Sequence, residues 1–509
     1  MKSDGTRILS RFMPAFLAGL GLFLLILSGC GDDSGSGSND AAVQDAANDA
    51  QTSDSRIGDS GTGQDGTMDG QTSDGGNPNP QCGTITTFED GKTPTAEVHV
   101  ATTGSDTNGN GTRSNPYATI ERAVQDAVPG TSVIVHQGTY PGGISISNLA
   151  GSQNALIWIG GAQGENEPII DATGHGEAMH LSNTSYLVIH DLEMANSDDN
   201  GINCDDGGDM SDPQATHHII FRNLFLHDVG GDGNQDCLKL SGLNHFFVLD
   251  SEITHCGGNA SGSAIDEVGC HHGLIARNFM HDLSANAVQN KGGTEDVEIR
   301  WNKMVHAGVR AVNMGGSTGF QYFRPPLSET QPNAEARDIR VLANVIEGST
   351  AALAFVGCVD CVAAHNTIVD PDRWILRILQ ETTSSGSYTF EPCKDNLVEN
   401  NIFYFDRSQL HAFINIGPNT AGDTFTFTAN LWYAHDNPGQ SQPDGLPVTE
   451  NQGIYGQDPA FADPSSEDFH ITTSSPAAGA GAASSPLITG DMDGHCYQDP
   501  PAIGAYEAP

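Results

Sequence analysis

Between Tyr186 and Tyr433 short apolar runs alternate with Gly, Asn and Asp, and one pattern recurs: apolar, x, x, Asn or Asp, x, apolar. The polar marker falls at Asp191, Asn223, Asp250, Asn278, Asn302, Asn344, Asn366, Asn400 and Asn430. From Asp191 to Asn302 the steps are 32, 27, 28 and 24 residues, too short for propeller blades and without helical hydrophobic spacing. Each unit holds strand-like runs separated by turn residues, which is how one coil of a parallel β-helix reads. One coil cannot bury its apolar face alone. Nine coils stacked at about 4.8 Å do so and make a rod of roughly 40 Å. The marker is expected at a turn, in left-handed backbone geometry that Asn and Asp tolerate.

The strands that follow the markers can be aligned. With Ile202, Leu238, Ile265, Val288 and Val312 inward, the period of two sends Asn203, Lys239, Asp266, Gln289 and Asn313 outward on one parallel sheet. Asp205, Ser241 and Lys291 form a second column, and Arg310 leads its own strand. The next comparable strand, Leu353-Ala-Phe355-Val, is apolar and ends the polar zone. Asn and Asp are poor strand formers, so their place at strand centres exceeds what solubility needs. Two long insertions, Gly316–Arg337 and Thr382–Cys393, are expected beside this face, the first bringing Tyr322 and Arg324 to a ligand.

Composition supports an all-β body: 61 Gly and only 17% charged residues fit turns and strands better than helices. The one clear helix lies near Thr119 to Ala127, with Thr119 as N-cap, Ile120, Ala123, Val124 and Ala127 on one face, and Pro129-Gly130 as its stop. The fold expected is a right-handed parallel β-helix over 95–455 with this short helix at its N-terminal end. Residues 1–29 read as an export signal, with Lys2, Arg7 and Arg11 before a short apolar run. Residues 30–80 hold ten Asp, one Arg and almost no large apolar side chain, the composition of a disordered tether. Residues 456–509 read as a C-terminal cap or anchor-like segment. The formal charge of −43, from 21 Lys+Arg against 64 Asp+Glu, excludes nucleic acid as a partner. Ten Cys leave an odd number after the signal cysteine; Cys204 and Cys237 lie at similar coil positions compatible with a bridge, and Cys358 and Cys361 make a Cys-x-x-Cys with Cys393 downstream.

Leu27-Ser28-Gly29-Cys30 resembles the bacterial lipobox, which implies a lipid on Cys30, a membrane attachment and a location at the outer membrane or cell surface. The helix-then-strand opening resembles the N-terminal cap of the pectate-lyase-like superfamily. Asp468-Phe-His-Ile471 and Ala502-Ile-Gly504-Ala-Tyr506 resemble the end of bacterial surface β-helix proteins. That architecture implies a polysaccharide or cell-surface glycan as partner. Calcium-dependent polysaccharide lyases use Asp-bound Ca²⁺ and a Lys or Arg base. By that resemblance Lys239 is the candidate base, with Lys291 and Arg310 as further cations and Asn203, Asp266, Gln289, Asn313, Tyr322 and Arg324 as substrate ligands. Nine Asp between Asp198 and Asp236 admit two readings, solvated turns or a hard cation such as Ca²⁺ held by Asp205, Asp206, Asp236 and Glu267. Asn234-Gln235-Asp236-Cys237-Leu238-Lys239 also resembles the Asp-Asp-Cys strand of polygalacturonase-like hydrolases, although Gln235 replaces one Asp and Gly262-Ser263 replaces the expected His-Gly. A non-catalytic adhesin or glycan-binding rod is the third expectation.

Overall fold

A computed structural model of the chain describes residues 82–231, 233–258, 261–483 and 488–509. The export signal, Cys30 and the tether lie outside the described residues. No helix among the described residues is long and apolar enough to cross a membrane.

The body is a parallel β-helix with one 10-stranded and one 23-stranded sheet. Each coil gives the larger sheet two strands joined at a corner: Leu243–Leu249 and Glu252–Cys256 both pair in parallel with the long strand Thr216–Val229. The coil then turns into the ten-stranded sheet, whose central members are Ile202–Asp205, Leu238–Ser241, Ser263–Val268, Asn286–Lys291 and Arg310–Gly315. Ten strands span about 43 Å. Ile202, Leu238, Ile265, Val288, Val312 and Leu353 stack in register inside, all fully buried.

The helix is real but short, Ile120–Val124, with the Thr119 hydroxyl accepting from Arg122 N at 3.2 Å. Ile120 and Ala123 enter the core of the first coils. That closes an end where apolar side chains and strand edges would otherwise meet water. At the far end Leu446, Val448 and Tyr455 pack against the same core. Residues 456–483 and 488–509 instead run back along the outside as a strap. Trp301 Nε1 donates to Gly490 O at 3.1 Å, Gly504 N to Asn400 O at 2.8 Å and Ala505 N to the Thr367 hydroxyl at 3.0 Å. The Cys82–Cys496 disulfide ties this strap to the first described residue. Seven residues on, Glu89 accepts from Trp158 Nε1 and from Arg222. The other disulfide is Cys237–Cys256, and Cys204 is a buried thiol, so the bridge expected between Cys204 and Cys237 does not form. Cys204 is in register with Leu240, three residues past Cys237, which explains the mismatch.

The recurring markers divide into two kinds. At Asp191, Asn223, Asp250 and Asn400 the marker itself is left-handed, with φ between 52 and 56°. At Asn278, Asn302, Asn344, Asn366 and Asn430 the left-handed residue is the one before, and the Asn turns inward. These five join Asn401 in a buried ladder: Asn278 accepts from Ser251 N, and from Asn302 on each side-chain oxygen accepts from the backbone N and the amide of the Asn one coil earlier, down to Glu450. The turn geometry and the ladder are therefore separate duties on adjacent residues.

A polar pair, Glu267 and Asn290, sits in the core of the ten-stranded sheet. Glu267 is in register with Leu240 and Asn290, faces inward, and accepts from Asn290 Nδ2 at 2.6 Å. Burial pushes its pKa up to about 8. The raised value means the folded state holds a proton the unfolded chain releases. This contribution to stability is present below the ordinary carboxyl range and is lost as pH rises from about 4.5 through about 8. Glu267→Gln keeps the shape and the acceptor for Asn290. Urea denaturation is expected to show it more stable than wild type by on the order of 3 kcal/mol at pH 7, with the difference vanishing near pH 4.

Candidate active site

The outward residues of the ten-stranded sheet form a continuous file in direct register: His180, Asn203, Lys239, Asp266, Gln289, Asn313, Ala354, Arg377, Asn415. Ala354 interrupts it for one rung only. Arg377 then resumes it, buried, with its Nε donating to Asn415 Oδ1 at 3.1 Å. Alternation in Trp374-Ile-Leu-Arg-Ile-Leu signals Arg377, and the expected end of the polar zone at Leu353–Val356 came one strand too soon.

A second file runs beside the first. The residue at or just before each strand start curls back to touch the outward residue three positions on. Glu177 meets His180 at 3.7 Å, Asp236 meets Lys239 at 3.3 Å, Asn286 meets Gln289 at 3.0 Å and Arg310 meets Asn313 at 3.3 Å. Strict alternation would turn these residues inward, so reading the sequence by period two passes over Glu177 and Asn286. The small residues between the files, Ala264, Ala287 and Ala311, leave room for this approach.

Lys239 and Asp266 lie at the centre. Lys239 Nζ donates to Asp266 Oδ2 and to Asp236 Oδ2, and Lys291 Nζ faces the other Asp266 oxygen at 3.4 Å. Asp236 is 0% exposed, Asp266 1%, Lys291 3% and Lys239 7%. Burial, then the charge of Asp266, raises the pKa of Asp236. Burial pushes Asp266 in the same direction, but Lys239 and Lys291 outweigh it and hold the carboxyl below its ordinary range. Two neighbouring carboxyls are thereby driven apart. Further along, Arg310 Nη2 pairs with Glu381 Oε1 at 2.7 Å, a partner from the edge of the second insertion that no motif announces. Asn203 donates to Glu177 Oε1 at 3.0 Å.

The two insertions make one wall at the C-terminal ends of these strands. Phe320 and Phe323 of the first meet Phe390 of the second at ring-centroid distances of 5.5 and 5.7 Å. Buried Glu335 accepts from Gly292 N, from Thr318 and from the Thr382 hydroxyl, joining both insertions to the coil. Tyr322 sits half-buried in the turn Phe320–Tyr322. Arg324, expected as a substrate ligand, is instead buried against Asp206, with Nε–Oδ2 2.5 Å and Nη2–Oδ1 3.2 Å. It anchors the wall four coils back. Its chain crosses Gly269, whose φ is +61° and where a Cβ would lie 2.3 Å from Arg324 Cβ, so this turn admits only glycine.

The carboxylates expected to share a cation do not converge. Asp205 accepts from His180 Nε2, the Ser182 hydroxyl and Gly207 N, each at 2.8 Å. Asp206 is held by Arg324, Asp236 by Lys239, and Glu267 faces the interior. No group of three or more His, Cys, Asp or Glu able to hold a metal occurs among the described residues. Acidic density along the sequence was the signal; it ignores which face each residue takes. The donor set as built does not fit Ca²⁺. Of the histidines that follow successive markers, His227 and His281 lie beside Glu193 and Glu252, while His255 and His306 have left-handed backbone.

Fold and site together define a parallel β-helix with a buried acidic and basic cluster on one open sheet face. Residues 98–274 match the family model described as Pel9A-like, right handed beta helix region, a range that includes Asp236, Lys239 and Asp266 and stops short of Lys291. Pectate lyase Pel9A is similar in structure, with a TM-score of 0.55 and 14% identity over 82% of this chain and 98% of that chain. XylC in complex with xylose gives 0.47 at 12% identity, covering 80% and 98%. The alginate lyase from Paenibacillus sp. str. FPU-7 gives 0.41 at 14%, covering 64% and 97%. The likeness to Pel9A establishes the fold, a right-handed parallel β-helix. No curated protein matches the chain.

Proposed function

We propose that the protein is a lipid-anchored cell-surface enzyme that takes an acidic polysaccharide along the ten-stranded sheet and cleaves it by β-elimination. The observation that carries this reading is the pair Lys239 and Lys291 sharing Asp266, with Arg310 on the next strand. Fixed cations there would neutralise the carboxylate of a uronate residue. As donor to two carboxylates Lys239 carries its proton and has no lone pair to accept another. The role of base is therefore assigned to Lys291, whose Nζ lies 3.4 Å from Asp266 Oδ1. With Lys291 in its neutral form, the amine takes the proton α to the uronate carboxylate. The electron pair closes a C=C bond, and the glycosidic C–O bond breaks with the oxygen leaving on the other half of the chain.

Hydrolysis is a second reading, favoured by the opposed shifts of Asp236 and Asp266, which would suit one as acid and the other as base. A single assay distinguishes the two. A panel of uronate polymers is incubated with the protein, and both new reducing ends and ultraviolet absorbance of an unsaturated product are followed. Elimination yields both signals and is the expected result. Reducing ends without absorbance establish hydrolysis. Neither signal, with the polymer retained on immobilised protein, establishes a glycan-binding rod and removes the enzyme reading.

A further inference from the structure

We infer that the Lys239 ammonium stands where a divalent cation would otherwise join two coils, so that this face takes no Ca²⁺ as built and gains a Ca²⁺ site when Lys239 is removed. Asp236 and Asp266 come from neighbouring coils and both reach the same Nζ. Carboxylates withdrawn from water at this spacing require compensating positive charge. A hard cation bound by oxygens from adjacent coils would be the usual solution. Here the ammonium supplies it from within the chain. The remaining oxygens are also engaged: Ser263 N donates to Asp236 Oδ1 at 2.7 Å, and Asp266 Oδ1 faces Lys291 at an ion-pair distance of 3.4 Å. A metal could enter only by displacing a lysine that its own strand holds in register between Asn203 and Asp266.

The inference rests on this geometry and not on the reaction proposed above. It predicts that whatever the face does, chelators leave it unchanged.

The test compares thermal melting of the full chain in EDTA and in millimolar CaCl₂ for wild type, Lys239→Met, and Lys239→Met combined with Asp236→Asn. Methionine retains most of the buried stem and removes the charge. Wild type is expected to melt at one temperature in both buffers. Lys239→Met is expected to melt roughly 5 °C higher in calcium than in EDTA, and the added Asp236→Asn should abolish that gain. No calcium effect on Lys239→Met overturns the inference, as does a wild-type gain equal to that of the variant. The wild-type arm is independent of how well the variant folds: calorimetric Ca²⁺ binding to wild type that Asp236→Asn removes also overturns it.

Discussion

Lys291→Ala is expected to lower product formation from a uronate polymer by about 10²- to 10⁴-fold, the usual effect of removing a general base, while melting near the wild-type temperature. The difference between the two lysines makes this separation sharp. Without Lys291, Asp266 still has Lys239, and Asp236 keeps both Lys239 and Ser263 N. Neither Asp236 nor Asp266 is left without a cation, so the variant should fold. Lys239→Ala, by contrast, strips the shared counter-charge from two buried carboxylates and mixes a stability defect into any rate measured. Lys291→Arg serves as the control. It places a fixed positive charge beside Asp266 but cannot act as a base, since guanidinium holds its proton. If Lys291→Ala retains rates within tenfold of wild type, Lys291 is not the base. If Lys291→Arg matches wild type, only its charge matters.

Asn366→Ala is expected to destabilise the fold by about 4 kcal/mol, from four buried side-chain hydrogen bonds at ~1 kcal/mol each. The Asn366 oxygen accepts from Asn344 N and Asn344 Nδ2, both at 3.0 Å, and its amide donates to Val341 O at 2.8 Å and Asn401 Oδ1 at 3.0 Å. Alanine removes a partner from each of these four buried groups, although Asn344 Nδ2 keeps Ile299 O and Asn401 Oδ1 keeps the backbone N of residue 366. The loss should spread, because each rung aligns the next through a shared oxygen. Urea denaturation measures it, and a change under about 1 kcal/mol would remove the ladder from the account of stability.

How much of this was legible in the sequence follows from which residues obey the period of two. The solenoid was visible because its markers recur at coil spacing, and Lys239, Asp266, Gln289 and Asn313 meet because alternation and parallel register together fix a file. The same rule fails at strand starts. Asp236, Asn286 and Arg310 curl back where the corner ends, and a corner leaves no periodic trace. Markers were read as one class although the left-handed residue and the ladder residue are adjacent positions; at Asn400 and Asn401 both are Asn, which hides the distinction. The metal expectation counted aspartates along the chain, and Asp205, Asp206 and Glu267 point three different ways. Glu381 and Arg324 come from insertions whose paths only tertiary structure sets.

The Cys82–Cys496 bond also determines how the body would bear force. Tension arriving along the chain at Cys82 passes through the disulfide into the strap formed by the last fifty residues, which is bonded to Trp301, Thr367 and Asn400 on separate coils. The load is thus shared in shear across several turns of the solenoid, and the first coil is spared from being peeled off strand by strand. Under the surface attachment and polymer substrate proposed above, the rod would in this way stay wound while the polymer drags on its face.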